Sequence, residues 1–162
     1  MLSIAVFALL SVAYFGSIRF KNPRRLDVAS LHLRDLDDRP IPPSRFAGKA
    51  TVINFWAPWC LPCRVETPWF IHQQQLHQSD LLFIGVVTDE GTYREARSFM
   101  IERGGNYPLA RANAALDDAV GGIAELPTTL YISRGGRVVH LVSGLAREDR
   151  VEAYVQDAVH SQ

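Results

Sequence analysis

Cysteine is almost missing from this sequence: two residues in 162, Cys60 and Cys63, with two residues between them. A structural disulfide framework is therefore excluded, because a bridge between residues three apart closes almost no loop and stabilises little. No second Cys-x-x-Cys exists to complete a four-thiolate zinc site. Arg64, not His, follows Cys63, which removes the motif for covalent haem attachment. Net charge is also absent, with 17 basic and 17 acidic residues. No basic stripe interleaved with aromatics occurs, so charge offers no reason to bind nucleic acid. Internal repeats and low-complexity segments are missing as well. What remains is one chain, 48% apolar and 21% charged, long enough to bury a single core.

Charged side chains are missing from residues 1–18, MLSIAVFALLSVAYFGSI. As a helix this run would span roughly 27 Å, close to a hydrocarbon core of about 30 Å. The expectation is a transmembrane anchor or an uncleaved signal segment over 1–18. Ser11-Val12-Ala13 resembles a small-x-small cleavage site, but the positive stretch that precedes a signal peptide's apolar run is missing. Arg19, Lys21, Arg24 and Arg25 follow, and by the positive-inside rule they would hold that side in the cytoplasm. Residues 19–25, with Asn22-Pro23, read as a basic linker, and 26–162 as one domain. Without those four basic residues the domain carries 13 basic against 17 acidic side chains.

Periodicity and turn chemistry set out the elements. Asp27 to Leu36 and Pro40 to Ser44 read as strand and turn leading in. Ala50 to Trp56 is a β-branched and aromatic strand, and Leu81 to Val87 a continuous apolar strand covered on both faces. Between them lies a helix from Cys60 to about His77, with Val65, Trp69 and Leu76 at helical spacing. Thr92 with Glu95 has the form of a capping box for a helix ending at Gly104-Gly105. A short helix spans Ala114 to Val120. Strands Thr128 to Ile132 and Val138 to Val142 flank a Gly-Gly hairpin turn. A last helix, Arg147 to Val159, places Val151, Val155 and Val159 on one face. The order β-α-β-α, then β-β-α, predicts an α/β fold with a hairpin edge.

That order puts Cys60 where a buried strand gives way to a helix. Free N–H groups and the helix dipole favour a thiolate there by roughly 0.3–2 kcal/mol. Within a Cys-x-x-Cys pair the thiol pKa falls to about 3.5–7.5. Cys63, one turn on, is placed to resolve a mixed disulfide. Pro62 fits the first turn, where its missing N–H would have had no helical partner. The pattern is an exposed nucleophile with a sheltered partner. A metal site is the weaker reading, since His32, His72, His77, His140 and His160 are scattered along the chain.

The run Asn54-Phe55-Trp56-Ala57-Pro58-Trp59-Cys60-Leu61-Pro62-Cys63, with Pro68 five residues after the second cysteine, resembles the thioredoxin superfamily. Within it the chain resembles the TlpA/ResA-like membrane-anchored thiol–disulfide oxidoreductases. Supporting features are the lead-in LHLRDLDDRPIPPSRFAGKATVINFW, Asn54 within the first core strand, Glu66 three residues after Cys63, and ELPTTLYISRGGRVV. The similarity covers roughly Leu31 to Leu145. It departs at Leu61-Pro62 and at Leu126, positions on which redox direction and partner choice turn.

The resemblance implies a thioredoxin fold: a central mixed β-sheet flanked by helices, with an N-terminal β-hairpin extension and an N-terminal apolar helix. It implies a catalytic Cys60–Cys63 disulfide, with Glu66 taking the proton of the resolving thiol. Pro127 would be a cis-proline, with Leu126 and Thr128 pairing to substrate backbone and Trp59 shaping the docking surface. Protein disulfides would be the substrates, an upstream thiol protein the redox partner, and no bound cofactor is implied. Expected work is reduction of extracytoplasmic proteins, including apocytochrome c. Two alternatives stay open: an oxidase or isomerase using the same residues, and a copper carrier of the same fold. The short cysteine spacing argues against the carrier. Trp56, Trp69, Phe70, Tyr107 and Tyr131 are read as core or rim, Arg64 as solvent-facing, and Glu90, Asp117 and Asp118 as surface charges.

Overall fold

In a computed structural model of the chain, residues 25–162 are described. The expected apolar segment 1–18, with its apolar helix, and nearly all of the basic linker lie outside the described residues. Among the described residues, no helix is long and apolar enough to cross a membrane.

Two central strands organise the fold. β1 (Ala50–Trp56) and β2 (Leu81–Val87) are buried along their whole length and pair in parallel, Ala50 opposite Leu81 and Trp56 opposite Val87. Their runs show no polar alternation because both faces are covered. β3 (Leu109–Arg111) joins β2 in parallel; β4 (Thr128–Ile132) runs antiparallel to β1, and β5 (Val138–Ser143) antiparallel to β4. The order is β3-β2-β1-β4-β5, a mixed five-stranded sheet of thioredoxin type. β3 is absent from the sequence reading because three residues are too few to show a period.

Helices cover both faces: α1 (Leu61–Leu76), α2 (Tyr93–Glu102), α3 (Ala114–Val120) and α4 (Glu148–His160). On one face Val52, Phe83 and Tyr131 pack with Phe70 of α1 and with Val151, Val155 and Val159 of α4. On the other, Ile53, Phe55 and Ile84 pack with Leu116 of α3 and with Val28, Leu31 and Phe46 from the N-terminal segment.

Three local expectations change. Val28–Leu31 is a 3-10 turn, not a strand, because the Asp27 carboxylate accepts the Ala29 N–H at 3.1 Å and bends the chain. The expected N-terminal hairpin is pared to one antiparallel bridge, Arg34 with Pro40, flanked by an Ile41 N–H to Leu33 C=O bond of 2.8 Å. Thr92 stands at the N-cap of α2 but makes no side-chain cap bond; Asp89 caps the 3-10 turn ahead of it, accepting from Gly91 N–H at 3.1 Å.

The buried side of α1 is also different. Val65 and Leu76 are exposed, whereas Cys63, Glu66, Thr67, Phe70, Gln73 and Gln74 are buried. Gln74 shows why polar groups belong there. β3 reaches only Gly85 to Val87 of β2, leaving the first half of that edge without a strand. The Gln74 amide takes its place, donating to Leu81 C=O at 3.2 Å and accepting from Phe83 N–H at 2.7 Å.

Candidate active site

β1 delivers the site. The strand ends at Trp56, a turn follows through Ala57, Pro58 and Trp59, and Cys60 caps α1 with extended backbone, φ −75° and ψ 105°. Its Sγ accepts the Cys63 N–H at 3.3 Å, as expected for a sulfur set against the first free amides of a helix. Cys60 and Cys63 are joined in a disulfide. Both are buried, Cys60 4% exposed and Cys63 1%, so the expected contrast between an exposed and a sheltered sulfur is slight. Surroundings separate them: Cys60 borders an open groove of about 1040 Å³, and Cys63 does not. Trp56, Ala57, Phe99 and Met100 pack behind the pair.

The groove runs from Trp59 and Cys60 across to Leu126. Trp59 is well exposed at its rim, its indole N–H donating to Asp89 Oδ2 at 3.0 Å. The Leu126–Pro127 bond is cis. Of the two residues expected to pair with substrate backbone, Leu126 lines the groove and Thr128 does not. Pro127 is buried, and Thr128 is built into the sheet between Phe55 and Ser143, its hydroxyl donating to Glu125 C=O at 2.8 Å. Thr128 therefore shapes the turn from below.

Glu66 lies one turn beyond Cys63 on the buried side of α1. It is 1% exposed. Oε1 accepts the Ala146 N–H at 2.7 Å, while Oε2 is buried with no hydrogen-bond partner among the described residues. Burial pushes its pKa up from 4.5 to about 7, and the Ala146 bond opposes the shift in part. A carboxyl poised there can hold or release a proton near neutrality, one helical turn from the inner sulfur. The Tyr107 and Tyr131 phenols are held well above their ordinary value, chiefly by burial, with the Glu66 charge adding to it.

Asn54, polar in the middle of β1, is satisfied across the sheet, donating to Thr129 Oγ1 at 2.9 Å. The Arg64 guanidinium lies 5.1 Å over the Phe99 ring, on the surface behind the disulfide. Trp56 and Phe70 are core as read, and Trp69 and Tyr107 are half-buried against it. Glu90 and Asp117, read as ordinary surface charges, both stand in the groove wall with Asp89 and Glu125. These acids come from three separate segments, so no local pattern links them. Among the described residues, no three His, Cys, Asp or Glu side chains gather as a metal site would require.

Residues 22–156 match the Redoxin family. Among curated relatives, the thiol-disulfide oxidoreductase ResA of Bacillus subtilis is 30% identical over 130 residues, spanning 80% of this chain and 72% of that protein. The thiol:disulfide interchange protein HelX of Rhodobacter capsulatus is 35% identical over 105 residues, 63% of this chain and 56% of its own. Among solved structures, a thiol:disulfide interchange protein of the thioredoxin family from Chlorobium tepidum aligns with a TM-score of 0.69 at 29% identity. That alignment covers 78% of this chain and 90% of the other.

Proposed function

The chain belongs to the Redoxin family, among the ResA-like members of the thioredoxin superfamily, and is a thiol–disulfide oxidoreductase; from that we propose that it reduces protein disulfides through Cys60 and Cys63. The observation that carries the reading is the position of Cys60, capping α1 and bordering the groove, with Cys63 behind it. In the reduced enzyme the Cys60 thiolate attacks one sulfur of the substrate disulfide. A Cys60–substrate bond forms as the substrate S–S bond breaks, and the first substrate thiolate leaves. Cys63 gives up its proton to Glu66 and attacks Cys60 Sγ, expelling the second substrate thiolate. Two electrons pass to the substrate, and the enzyme is left with the Cys60–Cys63 disulfide. An upstream dithiol protein then returns the electrons. Leu126 and Trp59 flank the incoming segment, with Pro127 and Thr128 fixing the turn that presents Leu126.

The apolar sequence of residues 1–18 supports a membrane tether, and the ResA resemblance, against the sign of the flanking charges, favours an extracytoplasmic domain, where oxidised cysteine pairs need such a reductase. An apocytochrome-type Cys-x-x-Cys-His disulfide is the substrate that the ResA resemblance favours. Trapping tests the chemistry directly. A Cys63→Ser variant, reduced and mixed with an oxidised Cys-x-x-Cys-His peptide, accumulates a mixed disulfide at Cys60 visible by intact mass. Absence of the adduct defeats the proposal. Equilibration with glutathione then sets direction, since couples on this fold run from about −270 mV for reductants to about −120 mV for oxidants.

A further inference from the structure

The groove beside Cys60 carries charged side chains of one sign only. Asp89, Glu90, Asp117 and Glu125 line it, and no Lys, Arg or His does. Glu90 is compensated, its carboxylate 2.8 Å from Arg111, a guanidinium that also holds Asp38 at 3.0 Å. Asp89 is fixed by neutral donors alone, the Trp59 indole N–H and the Gly91 N–H. Asp117 and Glu125 have no cationic partner among the described residues. Three uncompensated carboxylates therefore converge on one cleft. They come from the loop after β2, from α3 and from the turn ahead of Pro127. Between them the wall is apolar, with Leu126 and Ile123. Thiol–disulfide exchange by itself needs none of these charges.

We propose that Asp89, Asp117 and Glu125 make the enzyme select disulfides flanked by Lys or Arg, the occupant of the groove being a cationic segment of the substrate protein. This rests on the thiol–disulfide reading and names its substrate class. A segment that fills the groove to bring its sulfur to Cys60 lies in contact with the walls that carry all three carboxylates. That is well inside a Debye length of about 8–10 Å, so a cationic flank is drawn in and an anionic one repelled. The chain's own basic stretch, residues 19–25, is the competing occupant. Arg25, the described end of that stretch, is bridged to Arg137 beside the β4–β5 turn, at the end of β4 remote from Thr128, and does not line the groove.

Each partly exposed pair multiplies affinity by about 1.4–5-fold, so the three together give on the order of 10-fold. The test uses the reduced full chain and two oxidised peptides identical except for Lys or Glu on either side of the cysteine pair. The cationic peptide is expected to react about 10-fold faster at low salt. The ratio should contract in about 0.5 M NaCl, and in Asp117→Asn/Glu125→Gln. Equal rates, an anionic preference, or a ratio indifferent to both salt and substitution overturns the proposal. Reduction of neither peptide instead defeats the thiol–disulfide reading beneath it. Replacing Arg19, Lys21 and Arg24 by Gln should leave the cationic rate unchanged; a rise would make the chain's own segment the occupant.

Discussion

Replacing Glu66 by Gln tests the central electrostatic feature of the site without touching a sulfur. The carboxyl has a pKa of about 7 in the folded chain against an ordinary 4.5, because burial disfavours its charged form. Between those two values the native state holds a proton that the unfolded state has released, so stability falls as pH rises. The contribution is fully present below about pH 4.5 and is lost as pH passes through about 7. A gap of that size is worth about 3 kcal/mol, with a slope near 1.4 kcal/mol per pH unit inside the window. In melting temperature this is roughly 6–12 °C for a domain of this size. Gln keeps the acceptor for Ala146 N–H but places an amide where Oε2 now lies unpartnered. That costs about 1–3 kcal/mol at every pH. The difference between variant and wild-type unfolding free energies, from urea titrations of the oxidised proteins between pH 4 and pH 8, should therefore climb in the variant's favour through the window. Parallel curves would refute the reasoning, since they would mean that Glu66 titrates alike folded and unfolded. In the reduced enzyme the same substitution should slow resolution of the mixed disulfide, read by stopped-flow release of the substrate thiol.

Gln74→Leu removes both hydrogen bonds to the uncovered part of β2, leaving Leu81 C=O and Phe83 N–H buried and unpaired. Urea denaturation should show a loss of about 2–4 kcal/mol, and hydrogen exchange should show faster opening of the Phe83 amide; unchanged stability would mean that the amide is not needed at that edge. Gly85→Ala should cost about 1–3 kcal/mol by the same assay, because its Cβ would lie 2.9 Å from both Leu109 Cδ2 and Trp56 Nε1. Because Trp56 packs with Cys60 and Cys63, reduction is expected to change the tryptophan fluorescence and displacement of the indole to alter that change; an unaltered signal would mean that Trp56 does not report on the sulfurs.

Some features were readable locally and for local reasons. The ends of β1 and β2 follow from apolar runs bounded by turn residues, α3 from its own short helical stretch, and the β4–β5 turn from paired glycines. The cysteine pair at a strand-to-helix junction declares its chemistry in ten residues. What lay beyond the sequence depended on what each side chain came to face. α1 looks like a helix with an apolar stripe at Val65, Trp69 and Leu76, yet it buries Glu66, Thr67, Gln73 and Gln74. Only the tertiary fold brings Ala146, from the loop after β5, to Glu66 and Leu81 and Phe83 of β2 to Gln74. β3 is too short to announce itself, and it exists because β2 offers an open edge. The pKa of Glu66 is a property of desolvation, which no spacing encodes. The acids of the groove are ordinary surface residues until the fold sets positions 89, 117 and 125 in the wall of the groove that Cys60 borders. Sequence determined which groups were present and where the backbone turned. Tertiary structure decided which of them lost water and which met, because burial and charge are set by neighbours distant along the chain.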